Sequence, residues 1–560
     1  MLPMNIFDIH NEVIDRYGDY VRSFLSIADD DIREFIGRGI FDDRALWPDA
    51  LLQLNPAYEK AATVASLAAK GVLQPGCADI FRDEKGQSFR LYQHQKEAVD
   101  KGLAGEHFVV TSGTGSGKTL TYFLPIFDAV LRGNPKEPRV WAIVVYPMNA
   151  LVNSQEAALR ELADRYQAGT GRPMPVRFAK YTGQEDDTEK LRIQQNPPHI
   201  LLTNYVMLEL MLVRPRERHF IDRASSALRF LVMDELHTYR WRQGADVALL
   251  IRRLRERSGN PHLICIGTSA TMVSGDSQGE RREAVAQFAT KFFGVQIKPE
   301  NVVEETLRRV IPAGAPTDAA LRQALVGPLP AADDWPAFAA NPLSGWIEDT
   351  FGLYQDEAPQ SGVLRRRVPT TLAAGAQRLA YVTQTDSEIC KVRLREMLLL
   401  GTQVRAPDGG QAFAFKLHQF ISQGGAAYAT LEPPEKRQLT LEGQYYAPGG
   451  ADKLLFPLRF CRVCGQEYYR VFRQEQENCV LPAAGESVDP YEDGAGEGYL
   501  LLDPDGRWED DPAVLPEHWF EPARPGKLKR EYQPHRPTLH YIRADGRFAN
   551  GPAEIGRAHV

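Results

Sequence analysis

The residues Thr111 to Leu120, TSGTGSGKTL, have the types and spacing of an anion cradle. Glycines at 113, 115 and 117 let backbone N–H groups turn toward anionic oxygens, which side chains at those positions would obstruct. Lys118 adds a positive charge that can reach terminal phosphates, and the Thr119 hydroxyl is a hard oxygen suited to Mg2+. Ser112, Thr114 and Ser116 fill the other loop positions; Ser112 stands where the spacing G-x-x-x-x-G-K-[ST] has its first glycine, and a small residue fits that corner. The alternative is an ordinary glycine-rich turn.

A second cluster, Asp234-Glu235-Leu236-His237, comes directly after the apolar run Phe230 to Met233. An acidic pair there places Asp234 beside a Mg2+ held by Thr119, and Glu235 where it polarises the water that attacks a γ-phosphate. Two carboxylates can also begin a solvated helix. Ser269 and Thr271, in LICIGTSAT, supply hydroxyls able to bond Glu235 or His237 and so to relay nucleotide state. Gln95 offers an amide that can pair with adenine N6 and N7, or can be a surface glutamine on an amphipathic helix.

These groups need a scaffold, and residues 87 to 300 supply its pattern: short apolar runs alternating with helical segments, as in an α/β parallel sheet. The runs are Phe108 to Val110, Val140 to Tyr146, Arg177 to Tyr181, His199 to Leu202, Phe230 to Met233 and Leu263 to Ile266. Each ends in small or polar residues, and in open α/β sheets ligands bind beyond the carboxyl ends of the strands. The polar clusters are therefore expected at one edge.

In order along the chain, Gln95, TSGTGSGKT (111–119), YPMNAL (146–151), TGQ (182–184), TNYVML (203–208), DELH (234–237) and SAT (269–271) resemble the motifs of superfamily 2 helicases of the DEAD/DEAH type. LYQHQ, YPMNALVNSQ, LLTNYVMLELML and DELHTYRWRQGADVALLIRRL are further similar to large bacterial helicases of DNA repair and of phage-defence systems such as Druantia and DISARM. The resemblance implies a RecA-like P-loop domain that hydrolyses ATP with Mg2+. It also implies nucleic acid, DNA by the family likeness alone, running past Tyr146, Asn149, Thr182, Gly183 and Thr203, whose small donors suit backbone contacts. Defence or repair proteins would be its partners. Arg242, Arg252, Arg253, Arg255 and Arg257 read as a solvated helix face.

Outside that domain, residues 1–86 read as a helical accessory region packing against the domain next to it in the chain, and 301–410 as a helical insertion or linker in which the basic tract Leu364 to Val368 is a linker or helix end. Residues 411–553 read as a β-rich, zinc-ribbon-like insertion. There Cys461-x-x-Cys464 is half of a candidate Zn2+ site, with Cys479, His418, His518 and His535 as distant candidates, or else two cysteines in a β-turn. The last seven residues, EIGRAHV (554–560), look like a translated sequencing adapter, so the authentic chain is expected to continue past about Ala553. After residue 300 no second strand–helix series and no arginine-bearing motif VI of the type Q-x-x-G-R-x-x-R is found. A superfamily 2 motor uses a second RecA-like domain for its arginine fingers, so low ATPase is expected of this chain alone.

Length and composition agree with a chain of several compact units. A net charge of −7 requires any polyanion site to be a local groove. Six cysteines make no disulfide framework and the acidic N-terminus is no signal peptide, so a reducing, cytoplasmic setting is expected. No run approaches the ~20 apolar residues that span a bilayer. An ATP-dependent helicase or translocase is the leading reading. A duplex-DNA translocase that never separates strands, and a nucleotide-gated nucleic-acid-binding module with little turnover, are the alternatives.

Overall fold

The computed structural model describes residues 5–559 other than 43–46, 114, 227, 240, 271–277, 313, 315, 356–362, 422–426, 451–452, 475–476, 484–494, 504–505, 507–514, 523, 525 and 552–556. Thr114 and Thr271 therefore lie outside the described residues. The chain divides into two compact units, both discontinuous in sequence: Leu54–Val368 with Gly401–Ala414, and Met1–Gln53 with Pro369–Leu400 and Phe415–Val560.

The first unit is built on a parallel sheet. Its strands are β1 (Phe108–Thr111), β2 (Ala142–Tyr146), β3 (Phe178–Lys180), β4 (Ile200–Asn204), β5 (Phe230–Met233), β6 (Ile264–Ser269) and β7 (Val302–Glu304), in the spatial order β7-β1-β6-β5-β2-β4-β3. Around them lie α1 (Gln93–Ala104), α2 (Thr119–Arg132), α3 (Asn149–Thr170), α4 (Asp187–Gln195), α5 (Tyr205–Val213), α6 (Pro215–Ser226), α7 (Trp241–Ser258) and α8 (Gln278–Phe293).

The near-continuous apolar runs arise from burial on both faces, because side chains alternate across a strand. Phe108, Val110, Val144, Ile200, Val232 and Ile266 pack with α1, α2 and α3, whereas Val109, Ile143, Val145, Leu201, Leu231 and Cys265 pack with α4 through α8. Each such buried Val, Leu or Ile contributes about 1.5–3 kcal/mol. The six expected strands are present, and β7 is an addition: at Val302–Glu304 it is too short to register as an apolar run, and it lies where a helical insertion was expected. The arginines of α7 also differ from expectation. Arg255 donates to the carbonyls of Phe293 (3.0 Å) and Gly294 (2.7 Å), capping the end of α8, and is not a purely solvated charge.

In the second unit, the helices Ile6–Ser23 and Asp30–Ile36 pack through Ile14, Ile32 and Ile36 on Phe456, Leu458, Val471 and Leu500 of an antiparallel sheet near the C-terminus. In the first unit, the alanine-rich stretch Ala57 to Leu73, read as helical, begins instead with strands Ala57–Tyr58 and Lys60–Thr63 before the helix Val64–Ala69. Alanine favours a helix only weakly, and pairing partners override it. The tail read as foreign supplies strand Arg557–His559, paired with Leu539–Tyr541 and Leu501–Leu502. A ladder is made by backbone groups, so almost any short segment can complete a sheet edge.

One local feature conflicts with its residue type. Trp241, the first residue of α7, has φ +55° and is 93% exposed, so its bulky side chain sits in the left-handed region without packing in return. Trp241→Gly is expected to raise stability by about 1 kcal/mol, whereas Trp241→Ala keeps a Cβ in the strained region and leaves stability nearly unchanged. Urea unfolding of the two variants checks this; equal midpoints would show that the backbone is not strained there.

Candidate nucleotide site

The phosphate loop leaves β1 and enters α2, and much of its shape is held by side chains outside the helix. Gly115 and Gly117 adopt φ +83° and +71°, which glycine alone accepts without strain. Ser112 Oγ and Ser116 Oγ pair at 2.6 Å across the buried base of the loop, a use for the hydroxyl that replaces the usual glycine. Gln95, 1% exposed, donates from Nε2 to the carbonyls of Ser116 (3.0 Å) and Gly117 (2.9 Å) and accepts from the Tyr92 amide (2.8 Å). Both ends of its amide are engaged by backbone, so Gln95 braces the loop from outside. A Cβ on Gly117 would lie 2.4 Å from that amide nitrogen, a second reason for glycine there.

Lys118 Nζ donates to the Ser112 carbonyl (3.1 Å) and lies 4.0 Å from Glu235 Oε1. The acidic pair comes at the end of β5, where the Asp234 amide donates to the Val145 carbonyl at 2.9 Å. Thr268 ties the pair to β6: its hydroxyl donates to Asp234 Oδ1 and accepts from the Glu235 amide at 3.3 Å. Burial pushes the Asp234 carboxyl up to about 6, the Thr268 hydroxyl opposing and the neighbouring Glu235 charge adding. Thr119 at the start of α2 and Asp234 are hard oxygen donors, and a buried carboxylate crowded by a second one is a place where a divalent cation relieves charge, so the residues fit Mg2+.

Glu235 has φ +52° and ψ +52°, a strained conformation for a side chain that must point into the site. His237 Nδ1 lies 3.3 Å from Glu235 Oε2, 3.3 Å from Ser269 Oγ and 3.3 Å from the Ala270 amide, which donates to it. One ring nitrogen cannot both accept from Ala270 and donate to Glu235. The two bonds are alternatives, and they connect the acidic pair to the end of β6.

A sequence model of the DEAD/DEAH box helicase family matches residues 92–277, the span that holds both clusters. The chain carries a DEAD/DEAH box helicase domain. It is 28% identical over 338 residues to the Druantia protein DruE of Escherichia coli, covering 41% of this chain and 18% of that protein. Over 235 residues it is 33% identical to the ATP-dependent helicase Lhr-Core of Methanothermobacter thermautotrophicus, covering 38% of this chain and 26% of that protein. Among solved structures, the DNA-bound DUF1998 helicase MrfA matches 46% of the chain and 32% of its own at 23% identity and a TM-score of 0.36. The chain thus spans about a quarter or less of the length of these curated relatives.

At the other strands of the helicase domain, three of the residues expected along nucleic acid are enclosed by the protein. Tyr146 is fully buried with its hydroxyl 3.3 Å from that of Tyr122; Thr203 is buried and donates to the Tyr181 carbonyl (2.7 Å); Thr182 is buried with its amide (2.5 Å) and hydroxyl (2.8 Å) on Glu185. Their polar atoms are bonded within the fold, as buried polar groups generally are. Gly183 is exposed, and Asn149, half-buried at the start of α3, accepts from Asn204 Nδ2 at 2.6 Å. Of the expected set, these two lie nearest solvent.

The candidate zinc pair is also corrected. Cys461 and Cys464 sit in the turn after strand Leu455–Phe460, and among the described residues no group of three or more His, Cys, Asp and Glu could hold a metal. Cys479 is buried and turned to Gln474. The turn has a packing role instead: Gly465, at φ +79°, accepts from the Ala28 amide (2.9 Å), and a Cβ there would lie 2.8 Å from that nitrogen.

Thr268, His94, Glu305 and Arg366 are site residues that the motif spacing did not single out. Thr268 was legible as the first hydroxyl of GTSAT; His94, whose ring contacts the Ser116 carbonyl at 3.3 Å, neighbours Gln95. The bracing role of Gln95 predicts that Gln95→Ala weakens binding of ATP and GTP to the same extent. Titration with fluorescent forms of both nucleotides checks this, and a loss confined to ATP would instead favour the role of adenine reader.

Proposed function

We propose that the chain is the ATP-binding part of an ATP-dependent nucleic-acid helicase or translocase that acts on single-stranded nucleic acid, DNA by preference. The observation that carries the reading is the convergence of Lys118, Asp234 and Glu235 on one phosphate loop, with Glu235 in contact with His237 and through it with Ser269. Relatives of the helicase domain are named ATP-dependent helicases, which supports ATP as the nucleotide and nucleic acid as the substrate.

In this reading the loop amides and the start of α2 hold the phosphates, and Lys118 leaves the Ser112 carbonyl to neutralise the terminal charge. Thr119 and Asp234 would hold Mg2+, which supplies charge neutralisation between the phosphates when bound. Glu235, fixed by the Thr268 contact at its amide, orients and polarises the attacking water. When the charge opposite Glu235 changes, His237 exchanges its partner between Glu235 and Ala270, and β6 receives the difference. Nucleic acid would run along the same edge, past half-buried Asn149 and exposed Gly183 at the ends of other strands of the sheet.

Lys118→Ala is expected to weaken Mg-ATP binding by tenfold or more, whereas Glu235→Gln keeps binding and slows single-turnover hydrolysis by about 10²–10³. Fluorescent-nucleotide titration and quenched-flow phosphate release read the two effects. Wild-type behaviour in both variants would remove the site assignment. ATP-driven displacement of a DNA-bound triplex strand without unwinding would favour the duplex translocase instead.

A further inference from the structure

The basic tract around residue 365 is not a linker: Leu364–Arg366 forms a strand antiparallel to Leu353–Gln355, with Arg366 opposite Leu353. This hairpin sends one arginine to the phosphate loop. Arg366 Nε donates to Glu305 Oε1 (2.5 Å), and its Nη2 donates to Glu305 Oε2 (2.8 Å) and to the Tyr58 hydroxyl (2.6 Å). Glu305 Oε2 also accepts from the Gly113 amide at 3.0 Å. The guanidinium lies so close to the loop that a Cβ on Gly113 would be 2.5 Å from its central carbon, so the first loop glycine makes room for an arginine.

The placement is set by the sheet. β7 runs parallel beside β1 with Glu304 opposite Thr111, so the next residue of each strand, Glu305 and Ser112, emerges at the carboxyl edge together. Glu304 pairs with Arg282 (3.0 Å), which leaves Glu305 as the carboxylate that turns to the loop. A carboxylate bonded to a phosphate-loop amide has the charge of the ligand that the loop is built to receive. Its bidentate arginine has the geometry that receives phosphate oxygens equally well.

We propose that Arg366 is a nucleotide-phosphate ligand and that Glu305 competes with the nucleotide both for Arg366 and for the Gly113 amide. The proposal rests on the assignment of the loop as an ATP site. On binding, Arg366 exchanges carboxylate oxygens for phosphate oxygens and Glu305 leaves the loop, so the two members of one ion pair have opposite effects on affinity. A pair that merely held the loop in shape would act with one sign.

The test is titration of the full chain with a fluorescent, non-hydrolysable ATP analogue and Mg2+. Removing a competing carboxylate or a charge-assisted phosphate contact is worth about a factor of three to ten in affinity. Glu305→Gln is accordingly expected to tighten binding by about threefold, and Arg366→Ala to weaken it by about fivefold, with Arg366→Lys in between. Weakening by both Glu305→Gln and Arg366→Ala, or no change in either, overturns the proposal. Should Arg366→Ala lose its fold by circular dichroism, Glu305→Gln and Arg366→Lys still decide the sign. Lys118→Ala separates the two levels: if it binds like wild type, the ATP site itself is misassigned, whereas its loss of binding beside unchanged Glu305→Gln and Arg366→Ala sinks the latch alone.

Discussion

Everything at the nucleotide site depends on the parallel register of β1 between β6 and β7. Val110 lies opposite Thr268, Thr111 opposite Ser269, and Thr111 opposite Glu304 on the other side. That register brings the phosphate loop, the Thr268 hydroxyl and the Glu305 carboxylate to one edge within hydrogen-bond reach of their partners. A slip of one residue would exchange the two faces of β1, burying Thr111 among apolar groups and turning Val109 to the wrong core. Both faces of the sheet are covered, so the apolar cores on its two sides specify the register much more strongly than the polar groups do.

The polar edge is correspondingly costly to build. Asp234 is a buried carboxylate held up near 6 with another carboxylate beside it, and Glu235 takes a left-handed backbone to reach the site. Groups like these are tolerated where surrounding bonds over-determine them. Thr268 does so from β6 with one hydroxyl that serves both acidic residues, and Gln95 does the equivalent for the loop from α1. The loop is thus shaped before any ligand enters, which reduces the ordering that binding must supply.

Much of this was legible from residue types. The strands of the sheet appear as apolar runs because they are buried on both faces, and the motifs stand out because phosphate chemistry restricts which residues can come at the ends of those runs. Legibility ended where the signal was not local. Val302–Glu304 is a three-residue strand defined only by its neighbour β1. Tyr146, Thr182 and Thr203 have the right types for phosphate contacts, but their hydroxyls meet Tyr122, Glu185 and the Tyr181 carbonyl, partners that only the folded neighbourhood supplies. Gln95 is the reverse case: its position was legible, but its bonds to the loop carbonyls were not, since they depend on how closely the loop folds back on α1.

The second unit shows why sequence order misleads about packing partners. Its N-terminal helices meet a sheet some four hundred positions away, joined by Asp29, which caps Ile32 at 2.9 Å while pairing with Arg437 at 2.7 Å. Closing so long a loop would be entropically expensive for a flexible chain, although the cost grows only with the logarithm of length. Here Leu51 pairs with Thr371 and Leu52 with Thr370, so the two points where the chain leaves and re-enters this unit are adjacent strands. The segment between them is a compact unit with cores of its own, not a flexible loop. Once it has folded, its ends are no longer free to wander, and the remaining closure cost falls on a short pairing that two strands can supply.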